Sequence, residues 1–243
     1  MQDVFVSVII PAYNEELIIK DTINQLLSFL AGSFSQYELI IADDGSTDGT
    51  RAAVESMGSD RLRCVRHFPN KGKGCAVREG VLAAKGRVVV YTDADLAYGT
   101  AVIADLVRLL EEKGTDLAIG SRKLHPQGYA DYPPLRLLAS RCFSLVTSIF
   151  AGFSYDTQCG LKAFTAGAAG EVFSRCETDG FAFDFELMML AQRMGFSVAQ
   201  LPVSIVNHRQ SKVNVLRDSI RMLRDLMKIR HSVNKRLRGD RLK

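Results

Sequence analysis

The chain has 243 residues, 47% hydrophobic and 24% charged. That balance supplies enough apolar side chains for one sizeable core and excludes a disordered protein. The net charge of +4 is unevenly placed: from Lys212 to Lys243 eleven Lys and Arg stand against Asp218, Asp225 and Asp240, so the rest of the chain is near neutral.

Residues 4–10 form a short β-branched run closed by Pro11, the pattern of a buried strand. Residues 15–30 carry Leu17, Ile18, Ile23, Leu26, Leu27 and Leu30 at helical spacing. A second strand, 37–42, runs into the turn sequence DDGSTDGT, where Thr47 or Asp48 is suited to cap a helix over 49–57. A strand is expected at 62–66, a Gly/Lys loop at 71–74, a helix to about 84, and a fourth strand at 87–92. Further strands are expected at 116–120, 161–164 and 198–206, with helices at 135–153, 184–194 and 213–238. Alternation of strands with helices predicts βαβ units and a mostly parallel, Rossmann-like sheet flanked by helices.

In such a sheet ligands bind at the carboxyl ends of the strands. The polar clusters fall there: Tyr13-Asn14-Glu15, Asp43-Asp44 and Asp93-Ala94-Asp95. Two carboxylates two residues apart after a strand can share a divalent cation, and oxygen ligands suit Mg2+ or Mn2+. A solvated pair of loop aspartates is the competing interpretation, and the shared strand-end position weighs against it. One carboxylate of Asp43-Asp44 can accept from the N–H of a nucleobase, although an ordinary capped turn has the same sequence. Lys71-Gly72-Lys73-Gly74 can bring ammonium and backbone N–H groups to phosphate. The patterns of a P-loop and of a dinucleotide-binding glycine loop are both absent.

Taken together, PAYNE at 11–15, DDGSTDGT at 43–50, KGKGCAVREG at 71–80 and TDADL at 92–96 resemble the nucleotide-sugar half of family 2 glycosyltransferases. GSRK at 120–123, DTQCGLKAF at 156–164, GFAFDFELMMLA at 180–191 and SKV at 211–213 resemble the polyprenyl- and dolichyl-phosphate branch, and the QCGLKAF and FAFDFEL wording is closer to its β-glucosyltransferases than to the mannosyl enzymes. The resemblance implies a GT-A fold and inverting transfer of a hexose, glucose from UDP-glucose, to a polyprenyl or dolichyl phosphate. It implies that Pro11, Tyr13, Glu15, Asp43 and Asp44 hold the nucleoside, with Lys73 toward the phosphates, and that Asp93 and Asp95 ligate Mg2+ or Mn2+. Where related mannosyl enzymes carry a Gln as a further metal ligand, this chain has Ala97. Arg122, Arg136 and Lys212 match basic positions that meet acceptor phosphate or donor diphosphate, with His208 and Arg209 in the same loop as Lys212. Asp156 and Asp184 are the expected base or acceptor-orienting carboxylates. For Asp184 the alternative is a helix-terminal charge favoured by the dipole.

The expected organisation is a glycosyltransferase domain over 1–212 and a basic amphipathic helix over 213–243, which either packs on the domain or lies on an anionic membrane surface. The apolar segment 135–153 is either an interfacial helix or a core or dimer helix, so a homo-oligomer is open. Five cysteines (Cys64, Cys75, Cys142, Cys159 and Cys176) without C-x-x-C spacing suggest neither a disulfide framework nor a zinc site and favour a reducing compartment. The first residues run directly into a strand, and no apolar run spans a bilayer. The expectation is a cytoplasmic protein, peripheral at the inner face of the membrane. Its expected partners are a nucleotide-sugar donor and a lipid-phosphate acceptor; nucleic acid is not expected, since no aromatic stacking platform accompanies the basic tail. The alternatives are mannose transfer from GDP-mannose, transfer to a saccharide, and a catalytically silent nucleotide-sugar or lipid-surface binding module.

Overall fold

A computed structural model describes residues 1–129, 137, 147–149, 152–207 and 215–240, including in the last helix the side chains of 225–237. Seven strands, β1 (Gln2–Ala12), β2 (Phe34–Asp43), β3 (Leu62–Arg66), β4 (Val88–Thr92), β5 (Leu117–Ser121), β6 (Leu161–Thr165) and β7 (Val198–Pro202), form one sheet in the order β3-β2-β1-β4-β6-β5-β7. All pairings are parallel except those of β6, which runs antiparallel to both β4 and β5. The helices are α1 (Ile19–Ser33), α2 (Thr50–Glu55), α3 (Lys73–Leu82), α4 (Ala101–Lys113), α5 (Ala166–Phe173), α6 (Phe183–Arg193) and α7 (Val215–Asp240).

Side chains alternate between the two faces of a strand, and both faces of this sheet are apolar. Ile9, Ile40, Val89, Tyr91, Ile119 and Phe164 point to one side, where α3, α5, α6 and α7 cover them. Val8, Ile10, Leu39, Ile41, Val90 and Ala163 point to the other, under α1 and α4. Several elements depart from expectation. Strand β1 does not stop at Ile10: Pro11 and Ala12 still pair with Ala42 and Asp43, since the missing proline N–H costs little at a strand end. Helix α4 has no counterpart in the sequence reading, although Ile103, Leu106, Val107 and Leu110 form a buried stripe at helical spacing. Helix α5 is likewise additional, and β7 ends at Pro202 rather than 206.

Helix α7 packs on the domain. Its Leu226, Ile229 and Val233 are buried in the core cluster shared with α6, while Met227, Lys228, Arg230, His231 and Lys235 are exposed. Among the described residues no helix is long and apolar enough to cross a membrane. Arg136, His208, Arg209, Lys212 and most of the segment 135–153 lie outside the described residues.

Candidate active site

The chain leaves β1 toward β2 on one side and later returns to β4 on the other. The strand order therefore reverses at β1, and a crevice opens where the loops after β1 and β4 diverge. Register brings the polar clusters level with one another: Ala12 lies opposite Asp43, and Ile9 opposite Tyr91, two residues before Asp93. Asp43 ends β2 and Asp93 follows β4, strands two apart in the sheet, a separation of roughly 10 Å from the usual strand spacing.

The turn after β4 is tight. Leu96 N–H donates to the Asp93 carbonyl, Leu96 adopts φ 48°, and Thr22 Oγ1 donates to the Ala94 carbonyl from α1. Lys73, the first residue of α3, sets its Nζ 2.5 Å from Asp93 Oδ1. Burial works to lower this ammonium, but Asp93, then Asp184 and Asp95, outweigh it and raise it above the usual lysine range. The carboxylates here hold the Lys73 ammonium, and the oxygens of Asp93 and Asp95 are hard donors of the kind that Mg2+ or Mn2+ takes, so the residue types fit such an ion. Ala97 adds no side-chain ligand. Its N–H donates to Asp95 Oδ1, and its carbonyl accepts from Val206 and Asn207 N–H, which returns the chain after β7 to this loop just before residue 208.

The loops after β1 and β2 are laced together. Asn14 N–H donates to Ser46 Oγ, Thr47 N–H to Asn14 Oδ1, Glu15 N–H to Thr50 Oγ1, and Gly49 N–H to Glu16 Oε2. The N-cap of α2 is Gly49, without a side-chain cap, rather than the expected Thr47 or Asp48; Asp48 just before it accepts from Thr50 N–H, and Glu16 from another loop accepts from Gly49 N–H. Pro11 is the penultimate residue of the central strand, and Tyr13 just beyond it is exposed at the rim. Asp43 and Asp44 differ sharply. Asp43 accepts from Ser46 N–H and pairs with Arg66 at 3.0 Å. The Asp44 carboxylate is committed to a neighbouring loop: it meets His67 Nε2 at 2.6 Å and accepts from Asn70 Nδ2, Lys71 N–H and Gly72 N–H. Its contacts build the turn that delivers Lys73.

The second half reaches the crevice because β6 is antiparallel. Its first residue, Leu161, pairs with Thr92, the last of β4, so the preceding segment 156–160 lies beside Asp93. A Cβ on Gly160 would collide with Asp93 Oδ2, so any larger residue there would push this carboxylate aside. Fully buried Lys162 donates to the Thr157 and Cys159 carbonyls and to Asp184 Oδ1, the last at 2.5 Å. Tyr91 hydroxyl donates to the same oxygen. Asp184 stands in the first turn of α6, the helix-terminal position considered from the sequence, and is there a buried carboxylate clamped by two donors.

Arg122 and Asp156 are drawn together as one ion pair. The Asp156 carboxylate accepts from Arg122 Nε at 2.9 Å, Nη2 at 2.8 Å and the backbone N–H at 3.0 Å. Burial acts to lower Arg122, but neighbouring Tyr98 and Asp156 raise it well above its usual range. Burial acts to raise Asp156, and the hydrogen bonds and charge of Arg122 hold it below the usual carboxylate value. The two side chains, separate in the sequence reading, neutralise one another in the fold.

A family model described as glycosyl transferase family 2 matches residues 7–170, which include every strand-end cluster above. The chain belongs to glycosyl transferase family 2. A dolichyl-phosphate beta-glucosyltransferase of Saccharomyces cerevisiae is 33% identical over 253 residues, covering 94% of this chain and 75% of the relative. One from Dictyostelium discoideum is 30% identical over 253 residues, covering 95% and 75%. Among solved structures, glucosyl-3-phosphoglycerate synthase from Mycobacterium tuberculosis, in complex with Mn2+, uridine diphosphate and phosphoglyceric acid, superposes with a TM-score of 0.67. It covers 95% of this chain and 78% of that one at 22% identity, a likeness of fold.

Within this family 2 chain, sequence reasoning missed Lys162, Tyr91 and Gly160. The signal for Lys162 was legible: a lysine inside the apolar run LKAFT must meet a buried partner or be expelled from the core. Tyr91 and Gly160 carried no such mark, because their importance depends on which strand β4 pairs with.

Proposed function

We propose that this family 2 protein transfers glucose from UDP-glucose, with inversion, to the phosphate of a dolichyl or polyprenyl lipid. The observation that carries the reading is the cluster of Asp93, Asp95 and Lys73 at the switch point of the sheet, level with Asp43. The relatives' names support the sugar and the acceptor.

Pro11, Tyr13, Glu15 and Asp43 line the nucleoside end, and Lys73 faces the diphosphate. Asp44 serves by shaping the loop that carries Lys73. Asp93 and Asp95 would hold Mg2+ or Mn2+, which when bound neutralises charge on the departing diphosphate. The acceptor phosphate is already anionic at neutral pH, so its oxygen attacks the anomeric carbon without a strong base. The bond from that carbon to the diphosphate oxygen breaks, and the nucleoside diphosphate leaves with the electron pair. What the protein must supply is alignment of two anions and stabilisation of the leaving group. Lys73 contributes charge. Lys162, Asp184 and Gly160 fix the Asp93 wall, and the Arg122–Asp156 pair fixes the segment from which Lys162 is held. Arg136 and Lys212 are assigned to the acceptor phosphate on the resemblance.

A lipid acceptor requires a membrane-facing surface. The exposed Lys228, Arg230 and Lys235 of α7 support docking on anionic lipid at the cytoplasmic face, with 213–243 as the docking element. The deciding experiment offers radiolabelled UDP-glucose or GDP-mannose with dolichyl phosphate or a saccharide, with and without EDTA. Transfer from UDP-glucose to the lipid, lost with EDTA and restored by Mn2+ or Mg2+, is expected. Asp95→Ala should lower it by roughly 100-fold or more. Undiminished transfer in that variant would overturn the mechanism.

A further inference from the structure

Outside the crevice, on the far side of Asp44, His67, Cys75 and Glu79 converge. Cys75 and Glu79 are four residues apart on α3 and so share a helix face, while His67 follows directly on β3. His67 Nδ1 lies 3.0 Å from Glu79 Oε2, and Cys75 Sγ lies 3.6 Å from Glu79 Oε1. The three ligand atoms all fall within 4.8 Å of one another.

The imidazole is bounded by carboxylates on both nitrogens. Nε2 lies 2.6 Å from Asp44 Oδ1 and Nδ1 3.0 Å from Glu79 Oε2; in the tautomer that gives Nε2–H to Asp44, Nδ1 turns a lone pair toward the Glu79 carboxylate and the Cys75 sulfur. In that tautomer two acceptors face one another beside a thiol, and a cation between them would satisfy all three. The arrangement around His67, with a carboxylate fixing the tautomer from behind and ligand atoms in front, is the second-shell pattern that orients a metal-bound histidine.

We propose that His67 Nδ1, Cys75 Sγ and a Glu79 carboxylate oxygen form a binding site for Zn2+, with Asp44 orienting the histidine and water in the fourth position. The mixed nitrogen, sulfur and oxygen donor set suits Zn2+ rather than the hard cation expected at Asp93 and Asp95. Tetrahedral ligands at zinc distances lie roughly 3.4–3.8 Å apart, so closing the cluster takes a shift of about 1 Å. Glu79, whose side chain is 33% exposed, can supply that by a rotamer change. Cys75 loses its proton to solvent on binding; in the metal-free protein burial raises this thiol above its ordinary range. The ion sits one side chain behind the carboxylate that holds the 70–72 turn, so occupancy stiffens the loop carrying Lys73. Sequence spacing gave no sign of such a site, because its ligands come from two elements.

The test uses the full chain, reduced, stripped with chelator and desalted, then titrated with Co2+. The expected result is a near-ultraviolet thiolate-to-Co2+ charge-transfer band with the visible bands of a tetrahedral site, erased by Zn2+. Carboxylates at Asp93 and Asp95 cannot produce the thiolate band, so its outcome is independent of the catalytic reading. Cys75→Ser should abolish it, Glu79→Gln should weaken Co2+ binding on the order of 10-fold, and Cys64→Ser should leave it unchanged. Zn2+ should raise the melting temperature of the wild-type chain and not that of Cys75→Ser. A wild-type chain without the band at saturating Co2+, or a band that survives in Cys75→Ser, would overturn the assignment.

Discussion

Lys162→Met tests whether the second half of the chain is fixed to the crevice as described. Lys162 is fully buried, and its ammonium donates to Asp184 Oδ1 and to the Thr157 and Cys159 carbonyls. Methionine keeps the length of the stem and removes the charge. Breaking one side of a buried pair costs about 3–5 kcal/mol, because the remaining charge is left in the core without its partner. Tyr91 still donates to Asp184, which favours the lower end, while the two orphaned carbonyls favour the upper. About 4 kcal/mol is expected. For a chain of this size each kcal/mol moves the melting temperature by roughly 2–4 °C, so the loss should be roughly 8–16 °C. Thermal melts followed by circular dichroism at neutral pH measure it. Adding Asp184→Asn to Lys162→Met should recover part of the loss, since the stranded charge is then removed as well. A single variant that melts within about 2 °C of wild type, or a double variant no better than the single, would refute the buried-pair argument.

Three further outcomes follow from the geometry. Gly160→Ala places a methyl against Asp93 Oδ2 and should lower sugar transfer at least roughly 10-fold while the fold persists by circular dichroism; equal activity would mean that Asp93 is not held there. Glu186 gives an acid signature. Burial acts to raise its carboxyl, but donors led by Arg236 and Thr178 hold it below the ordinary value of 4.5. Because its folded value is depressed, its stabilisation is complete above 4.5 and is lost as pH falls below that, so Glu186→Gln should flatten the fall of melting temperature on acidification. Finally, replacing Lys228, Arg230 and Lys235 together by Gln should weaken co-sedimentation with phosphatidylserine vesicles without changing the melting temperature by more than about 2 °C, since all three are exposed. Unchanged vesicle binding would remove α7 as the docking element.

Much of the fold was legible because its signals are local. Apolar runs at strand length, helical stripes and Gly- and Pro-rich punctuation located β1 to β4 and their helices to within a few residues. Polar residues interrupting those runs at their carboxyl ends marked the crevice before any contact was known. Helix α4 was equally legible from Ile103, Leu106, Val107 and Leu110, and was passed over. The direction of β6 was not, since side chains alternate in the same way in parallel and antiparallel strands. That direction alone decides that Gly160 meets Asp93.

By itself, then, the sequence determined an alternating α/β sheet, carboxylates at its strand ends and a family resemblance carried by ordered motifs. Each follows from chemistry within a few neighbouring residues. Only the tertiary structure decided that Arg122 closes on Asp156, that Lys162 and Tyr91 clamp Asp184, that α7 docks through Leu226, Ile229 and Val233, and that His67 meets Cys75 and Glu79. These pairs join separate elements. Their meeting depends on strand order, strand direction and the face each helix buries, none of which local periodicity encodes.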